Sequence, residues 1–160
     1  MERLFTIGVY GFDEEGFFTT LREAKIDLFL DIRRRRGLRG GLYPFANAMR
    51  LQKKLAEEGI AYRHVIDLAP DGETRALQAQ EDAVDHVARR KRERLGEAFV
   101  ESFKERTLEP FDWQPLVADL DQVRRPVLFC VERVPEACHR GLVAGQLAEL
   151  TGIPVTHLVP

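Results

Sequence analysis

The stretch from Cys130 to Arg140 carries four kinds of reactive side chain: the thiols of Cys130 and Cys138, the Glu132 carboxylate, the His139 imidazole and the Arg140 guanidinium. An ionised thiol is a nucleophile. Carboxylates and imidazoles move protons, and guanidinium forks hold carboxylates or phosphates by two-point contact. A second polar group is built on Asp31 and Arg33, followed by Arg34, Arg35, Arg36 and Arg39 beside Gly37, Gly40 and Gly41. Glycine-flanked arginines that follow a strand fit a loop that grips an anion.

Spacing narrows the chemistry. Cysteine-dependent phosphatases bracket one short phosphate loop with a thiolate and an arginine. Cys130 and Arg140 are ten positions apart and Cys138 and Arg140 two, so neither pair suits that loop. A zinc site could draw on Cys130, Cys138, His139 and His157. The C-x7-C-H arrangement lacks the paired short knuckles of structural zinc modules, and no metal ligand set is assigned. The same spacing is not the C-x-x-C of a dithiol oxidoreductase. The chain has no G-x-G-x-x-G, G-x-x-x-x-G-K-[ST] or G-x-S-x-G, so no cofactor is indicated.

These residues need a scaffold, and the apolar pattern supplies one. Leu4–Tyr10, Leu28–Ile32, Ala61–Ile66, Val127–Val131 and Val155–Leu158 read as strands. Between them lie helical stretches. One is capped by Asp13 and carries Phe17, Leu21 and Ala24; a second opens at Asn47; the last begins near Cys138 and carries Leu142, Val143, Leu147 and Leu150. The middle, from Asp67 to about Gln122, has no strand signal. Strands alternating with helices imply a parallel sheet with right-handed crossovers. The expectation is an α/β fold: a single doubly wound three-layer domain over residues 1–160, with a mainly parallel sheet of about five strands.

In such a sheet ligands bind outside the carboxyl ends of the strands. Asp31 and Arg33 sit at the end of the second strand, Cys130 and Glu132 at the end of the fourth. Cys138, His139 and Arg140 open the last helix, where free amides and the helix dipole favour an anion. His64 and His157 read as packed or surface histidines.

Composition excludes other classes. With 160 residues, 44% hydrophobic and 31% charged, the chain is the size of one globular domain and too apolar for disorder. No apolar run approaches the roughly 18–20 residues of a bilayer span, so no membrane partner is expected. Two cysteines suit a reducing compartment, and Met1-Glu2-Arg3-Leu4 lacks the apolar core of a signal peptide, which places the protein in the cytoplasm. A net charge of −2 creates no global field toward nucleic acid. A second basic run, Arg89-Arg90-Lys91-Arg92 with Arg94, is expected on a solvated helix face, paired with Glu81, Asp82, Asp85, Glu93 and Glu97.

Beyond these local readings, the chain resembles the prokaryotic family known as domain of unknown function 488. The resemblance runs from Thr6-Ile7-Gly8 through Asp31-Ile32-Arg33 and Gly59-Ile60-Ala61-Tyr62-Arg63-His64 to Cys130-Val131-Glu132, Cys138-His139-Arg140 and His157-Leu158. Val9 and Tyr10 stand where many members have histidine and serine. Asp67–Gly72 stands where many carry a Gly-Gly-Arg stretch. The resemblance implies a shared fold and site but no reaction.

The expected function is an enzyme-like protein binding a phosphorylated or otherwise anionic small ligand, such as a nucleotide. Arg33, Arg39, His139 and Arg140 would bind, with Asp31 or Glu132 as general base and Cys130 or Cys138 as nucleophile or proton donor. Replacing Arg33 or Arg140 should then abolish anion binding while leaving the melting temperature within a few degrees. One alternative is a nucleic-acid-binding accessory module that grips phosphates through the Arg33–Arg39 loop and stacks bases on Tyr43 and Phe45. Another is a structural hydrogen-bond network with the function elsewhere.

Overall fold

The computed structural model describes residues 1–160. Five strands form one all-parallel sheet: β1 (Leu4–Gly8), β2 (Leu28–Asp31), β3 (Ala61–His64), β4 (Pro126–Cys130) and β5 (Val155–Leu158), in the order β3-β2-β4-β1-β5. The first four strands end earlier than the apolar runs suggest, and β5 keeps its expected bounds. At β1 the chain turns where the amides of Val9 and Tyr10 both donate to the Val131 carbonyl, at 3.1 and 3.0 Å.

Helices cover both faces. α1 (Glu14–Glu23) and α2 (Ala48–Glu57) lie on one, where Phe17, Phe18, Leu21, Leu51 and Leu55 meet Phe5, Ile7, Phe29, Val127 and Phe129. Asp13 starts α1 as expected, accepting from the Gly16 amide at 2.7 Å. The other face holds α4 (Glu97–Phe103), α5 (Trp113–Leu120) and α6 (His139–Thr151). Phe99, Phe103, Leu116, Leu120, Val143 and Leu147 bury there against Leu4, Leu30 and Leu128. α3 (Gly72–Val84) packs on α4 rather than on the sheet. This is the doubly wound three-layer arrangement expected from the sequence.

Topology places the crevice. β2 and β4 are neighbours, paired from Leu28↔Pro126 to Asp31↔Phe129. The chain leaves β2 through α2 toward β3, and leaves β4 through α6 in the opposite direction, toward β5. Adjacent strands whose connections diverge to opposite faces leave a gap at their carboxyl ends, which is where doubly wound proteins bind ligands.

The middle of the chain differs from the expected helical stretch. α3 stops at Val84, and His86 takes a left-handed conformation at φ 53°. Arg89–Lys91 then forms a single 3-10 turn outside any long helix. No helix is long and apolar enough to cross a membrane.

Candidate functional site

A cavity of about 610 Å³ opens at the carboxyl ends of β2 and β4. Cys130, Glu132, Cys138 and His139 line it, together with Arg33 and Arg39. Asp31 and Arg140 do not.

Asp31 is fully engaged elsewhere. Its carboxylate accepts from Arg33 Nε at 2.8 Å, Arg33 Nη2 at 2.7 Å, the Arg33 amide at 3.1 Å and the Tyr62 hydroxyl at 2.8 Å. Arg33 spends its remaining fork on the Ala46 carbonyl at 2.9 Å and lies 4.6 Å over the Phe129 ring. Both residues are buried, at 0% and 3% exposure. Register explains the separation from the thiols. Asp31 pairs with Phe129, so the two side chains share a sheet face, and Cys130, one residue on, points to the other. Asp31 is thus a clamp rather than the general base expected of it. Arg33 holds that clamp through Nε and Nη2, and Nη1 ties it to the Ala46 carbonyl.

Arg140 has a similar fate. Nη1 donates to the Glu132 carbonyl at 2.5 Å and Nη2 to the Arg133 carbonyl at 3.0 Å, while Nε is buried with no partner. Its guanidinium is the strut beneath the loop that carries Glu132, and it is turned away from the cavity. Gly8 makes room for this arrangement, because a Cβ there would lie 1.8 Å from the Glu132 carbonyl oxygen and 2.9 Å from Arg140 Nη1.

The reactive group forms where β4 hands over to α6. Pro135–Ala137 makes a 3-10 turn, with the Cys138 amide donating to the Pro135 carbonyl at 3.1 Å. That turn brings Cys138 and His139 back over the end of β4. The Sγ atoms of Cys130 and Cys138 and a ring nitrogen of His139 all lie within 4.8 Å of one another. Cys130 Sγ is 3.7 Å from His139 Nδ1 and donates to Glu132 Oε2 at 3.6 Å; Cys138 Sγ is 4.0 Å from the same nitrogen. His139 Nε2 faces the Ile32 carbonyl at 3.1 Å. A carbonyl only accepts, so Nε2 carries a proton and Nδ1 is the nitrogen turned to the sulfurs. Neither cysteine is in a disulfide.

Electrostatics splits the thiols. Burial drives the Cys130 thiol well above its ordinary pKa, and the neighbouring Cys138 sulfur adds to the effect. Burial acts on Cys138 the same way, but its hydrogen bond with Cys130, the Arg140 charge and His139 outweigh it and hold that thiol well below its usual value. Burial would lower His139, yet the Cys138 sulfur raises it. Glu132 is raised, chiefly by burial and then by Cys138, against the opposing pull of Arg89.

The partner of Glu132 comes from the second basic run, which is expected on a solvated helix face. Arg89 Nε donates to Glu132 Oε1 at 2.9 Å, and Arg92 Nη1 lies 3.7 Å from the same oxygen. Arg92 also makes a forked contact with Asp82. Arg90 lies 5.5 and 5.7 Å from the ring centroids of Tyr10 and Tyr43. The second basic run therefore closes over the cavity, because the break after Val84 carries it across. A buried carboxylate at a strand end needs a cation, and that need was the only sign of Arg89 in the sequence.

Eight arginines line the cavity against two carboxylates, Asp82 and Glu132. Arg33, Arg89 and Arg92 are paired with acidic groups. Arg34, Arg35, Arg39, Arg75 and Arg90 have no carboxylate within salt-bridge distance. Arg34 and Arg75 are steadied through carbonyls, of Ala69 and Pro70 and of Asp71.

A family model described as Domain of unknown function DUF488 matches residues 14–147. The chain belongs to the DUF488 family. The matched stretch takes in Asp31 to Arg33 and the whole of Cys130 to Arg140, and stops short of Thr6-Ile7-Gly8 and His157-Leu158. No curated protein and no solved structure matches the chain. In this DUF488 member His64 and His157 lie outside the cavity. His64 Nε2 meets the Arg33 carbonyl at 2.7 Å, and His157 Nδ1 meets Thr6 Oγ1 at 2.8 Å. Of the two proposed stacking rings, Tyr43 lines the cavity, whereas Phe45 is a buried member of the α1–α2 core.

Proposed function

We propose that this DUF488 protein binds a phosphorylated or similarly anionic small ligand, of nucleotide size, in the cavity at the ends of β2 and β4. The observation that carries the reading is the imbalance of charge at the rim. Five guanidiniums, from Arg34, Arg35, Arg39, Arg75 and Arg90, face one cavity without an acidic partner. Guanidinium forks match phosphate oxygens in pairs. The volume suits a ligand of a few hundred cubic ångströms. Below the rim, Cys130, Glu132, Cys138 and His139 supply reactive groups, so the reading is enzyme-like.

The small-ligand reading is preferred over a nucleic-acid accessory module on the Arg33–Arg39 loop. A strand-gripping clamp needs free side chains on an open surface. Arg33 is locked to Asp31, and Arg36 donates to the Tyr62 hydroxyl at 3.4 Å. Two unpaired cysteines fit a reducing compartment, and we place the protein in the cytoplasm on that ground.

The test is calorimetric titration of inorganic phosphate, pyrophosphate and nucleoside mono- and diphosphates into the wild type, Arg39→Ala and Arg75→Ala at low ionic strength. The expected result is binding that weakens about tenfold or more in each variant, as for loss of one charged hydrogen-bond partner, at an unchanged melting temperature. No binding at low salt, or wild-type affinity in both variants, overturns the proposal. Tight binding of mixed oligonucleotides with steep salt dependence would favour the accessory module instead.

A further inference from the structure

The floor of the cavity is built from two sulfurs and an imidazole, and three features of their placement point beyond general acid–base chemistry. First, the donors are preassembled. His139 Nδ1 is 3.7 Å from Cys130 Sγ and 4.0 Å from Cys138 Sγ, with all three donor residues within 4.8 Å of one another. Tetrahedral zinc, with Zn–S of about 2.3 Å and Zn–N of about 2.0–2.1 Å, sets neighbouring donors roughly 3.5–3.8 Å apart. The sulfur–nitrogen separations are already within a few tenths of an ångström of that figure.

Second, the histidine is oriented as a metal-binding histidine is. Nε2–H donates to the Ile32 carbonyl, which fixes the tautomer and leaves the Nδ1 lone pair facing the sulfurs. The Phe103 ring packs edge-on at 5.5 Å and holds the imidazole plane. Third, the three residues are 3%, 1% and 7% exposed, yet all line the cavity. An ion among them would therefore be shielded by protein on one side and open to the cavity on the other.

We propose that Cys130, Cys138 and His139 bind a zinc-class divalent ion through two thiolates and Nδ1, leaving one coordination position open to the cavity. Two sulfur ligands select borderline and soft ions over magnesium or calcium. Two thiolates balance the charge of the ion, which removes the cost of burying a single thiolate beside Glu132. Three protein ligands and one open position is the arrangement of catalytic rather than structural zinc. The open position faces the space in which an anionic ligand's oxygen or a water would sit. Glu132, whose Oε2 is 3.6 Å from Cys130 Sγ, lies beside that position. The rigid Pro135–Ala137 turn sets the Cys130-to-Cys138 span, and it packs so close to α6 that a Cβ on Gly141 would lie 2.6 Å from the Pro135 carbonyl oxygen.

The inference concerns the same cavity as the anion proposal but does not depend on it. The full chain is stripped of metal, kept reduced with a phosphine, and titrated with cobalt(II). The expected result is one equivalent bound with thiolate-to-cobalt charge-transfer absorption and tetrahedral visible bands, both displaced by zinc(II). Cys130→Ser and Cys138→Ser should each lose a large part of the charge-transfer intensity, while His157→Gln retains it in full. Because a serine variant could fold poorly, a second readout uses the wild type alone: one equivalent of zinc should block alkylation of both cysteines, and a chelator should restore it. Absence of the band in the reduced wild type, its persistence at undiminished intensity in both serine variants, or alkylation unaffected by zinc overturns the proposal. Phosphate titration of the metal-free protein reads the anion site separately, so either proposal can fail while the other stands.

Discussion

Replacing Arg33 should destabilise the protein rather than merely empty its cavity, the reverse of the expectation drawn from sequence. The Asp31–Arg33 pair is bidentate, with contacts of 2.7 and 2.8 Å between groups that are 0% and 3% exposed. Arg33→Met leaves the Asp31 carboxylate buried with only the Tyr62 hydroxyl and one amide as donors. Asp31→Asn leaves a buried guanidinium whose remaining strong acceptor is the Ala46 carbonyl. Removing one partner of a buried pair costs about 3–5 kcal/mol. At roughly 2–4 °C per kcal/mol for a chain of this size, each single variant should melt about 6–20 °C below the wild type. The double variant strands no charge, so its loss should fall short of the sum of the singles by about 1 kcal/mol or more. Thermal and urea unfolding followed by circular dichroism, on all four proteins, measures both quantities. Single variants within a degree or two of wild type, or losses that add, would refute the assignment of this pair as a clamp.

Three further outcomes follow from local geometry. Gly8→Ala puts a methyl group on the Glu132 carbonyl, 1.8 Å from it before relaxation, and should cost about 1–3 kcal/mol or more, read as a lower urea midpoint. Arg140→Met removes the donors to the Glu132 and Arg133 carbonyls, and should loosen the 131–137 loop enough to be cut by protease under conditions in which the wild type is resistant. Asp71 caps α3: the Thr74 amide, aided by Arg106, lowers its pKa from 3.8 to about 2. A lowered carboxylate stabilises the fold above its unfolded pKa and loses that contribution as pH falls through its folded one. The deficit of Asp71→Ala, about 1 kcal/mol at neutral pH, should therefore shrink between pH 4 and 2; a constant gap would show that the charge is irrelevant.

Much of the scaffold was legible because it depends on short-range pattern. The continuous apolar run before Cys130 is of the kind a strand covered on both sides displays, and the helix that follows has its apolar residues at helical spacing. Their junction had to lie at the carboxyl edge of a parallel sheet, and that placed Cys130, Glu132, Cys138 and His139 on one cavity. Parity was harder. Asp31 and Arg33 share a face with each other, and strand-end position alone suggests that Cys130 and Glu132 complete the same site from the neighbouring strand. Whether the two pairs meet depends on register, and Asp31 pairs with Phe129 instead of Cys130. A shift of one residue would have turned the thiol and the carboxylate toward each other.

The second basic run was misplaced for a related reason. Charges of both signs from Glu81 to Glu97 fit a solvated helix by composition, and i,i+4 spacing cannot tell a pair within a helix from a pair made across a fold. What distinguishes Arg89 is a need that arises elsewhere in the chain. Glu132, two residues past Cys130 and buried, has to be neutralised or matched, and its sequence neighbour Arg133 is exposed and so is not the match. The cation must then come from a distant segment, and one containing arginines close after a helix stop can supply it. Arg89 and Arg92 reach Glu132, and the same excursion brings Arg90 over Tyr10 and Tyr43. The compensation of one buried carboxylate thus also roofs the cavity with positive charge. Loss of Glu132 should consequently be felt in the placement of the 85–95 segment as much as in the floor beneath it.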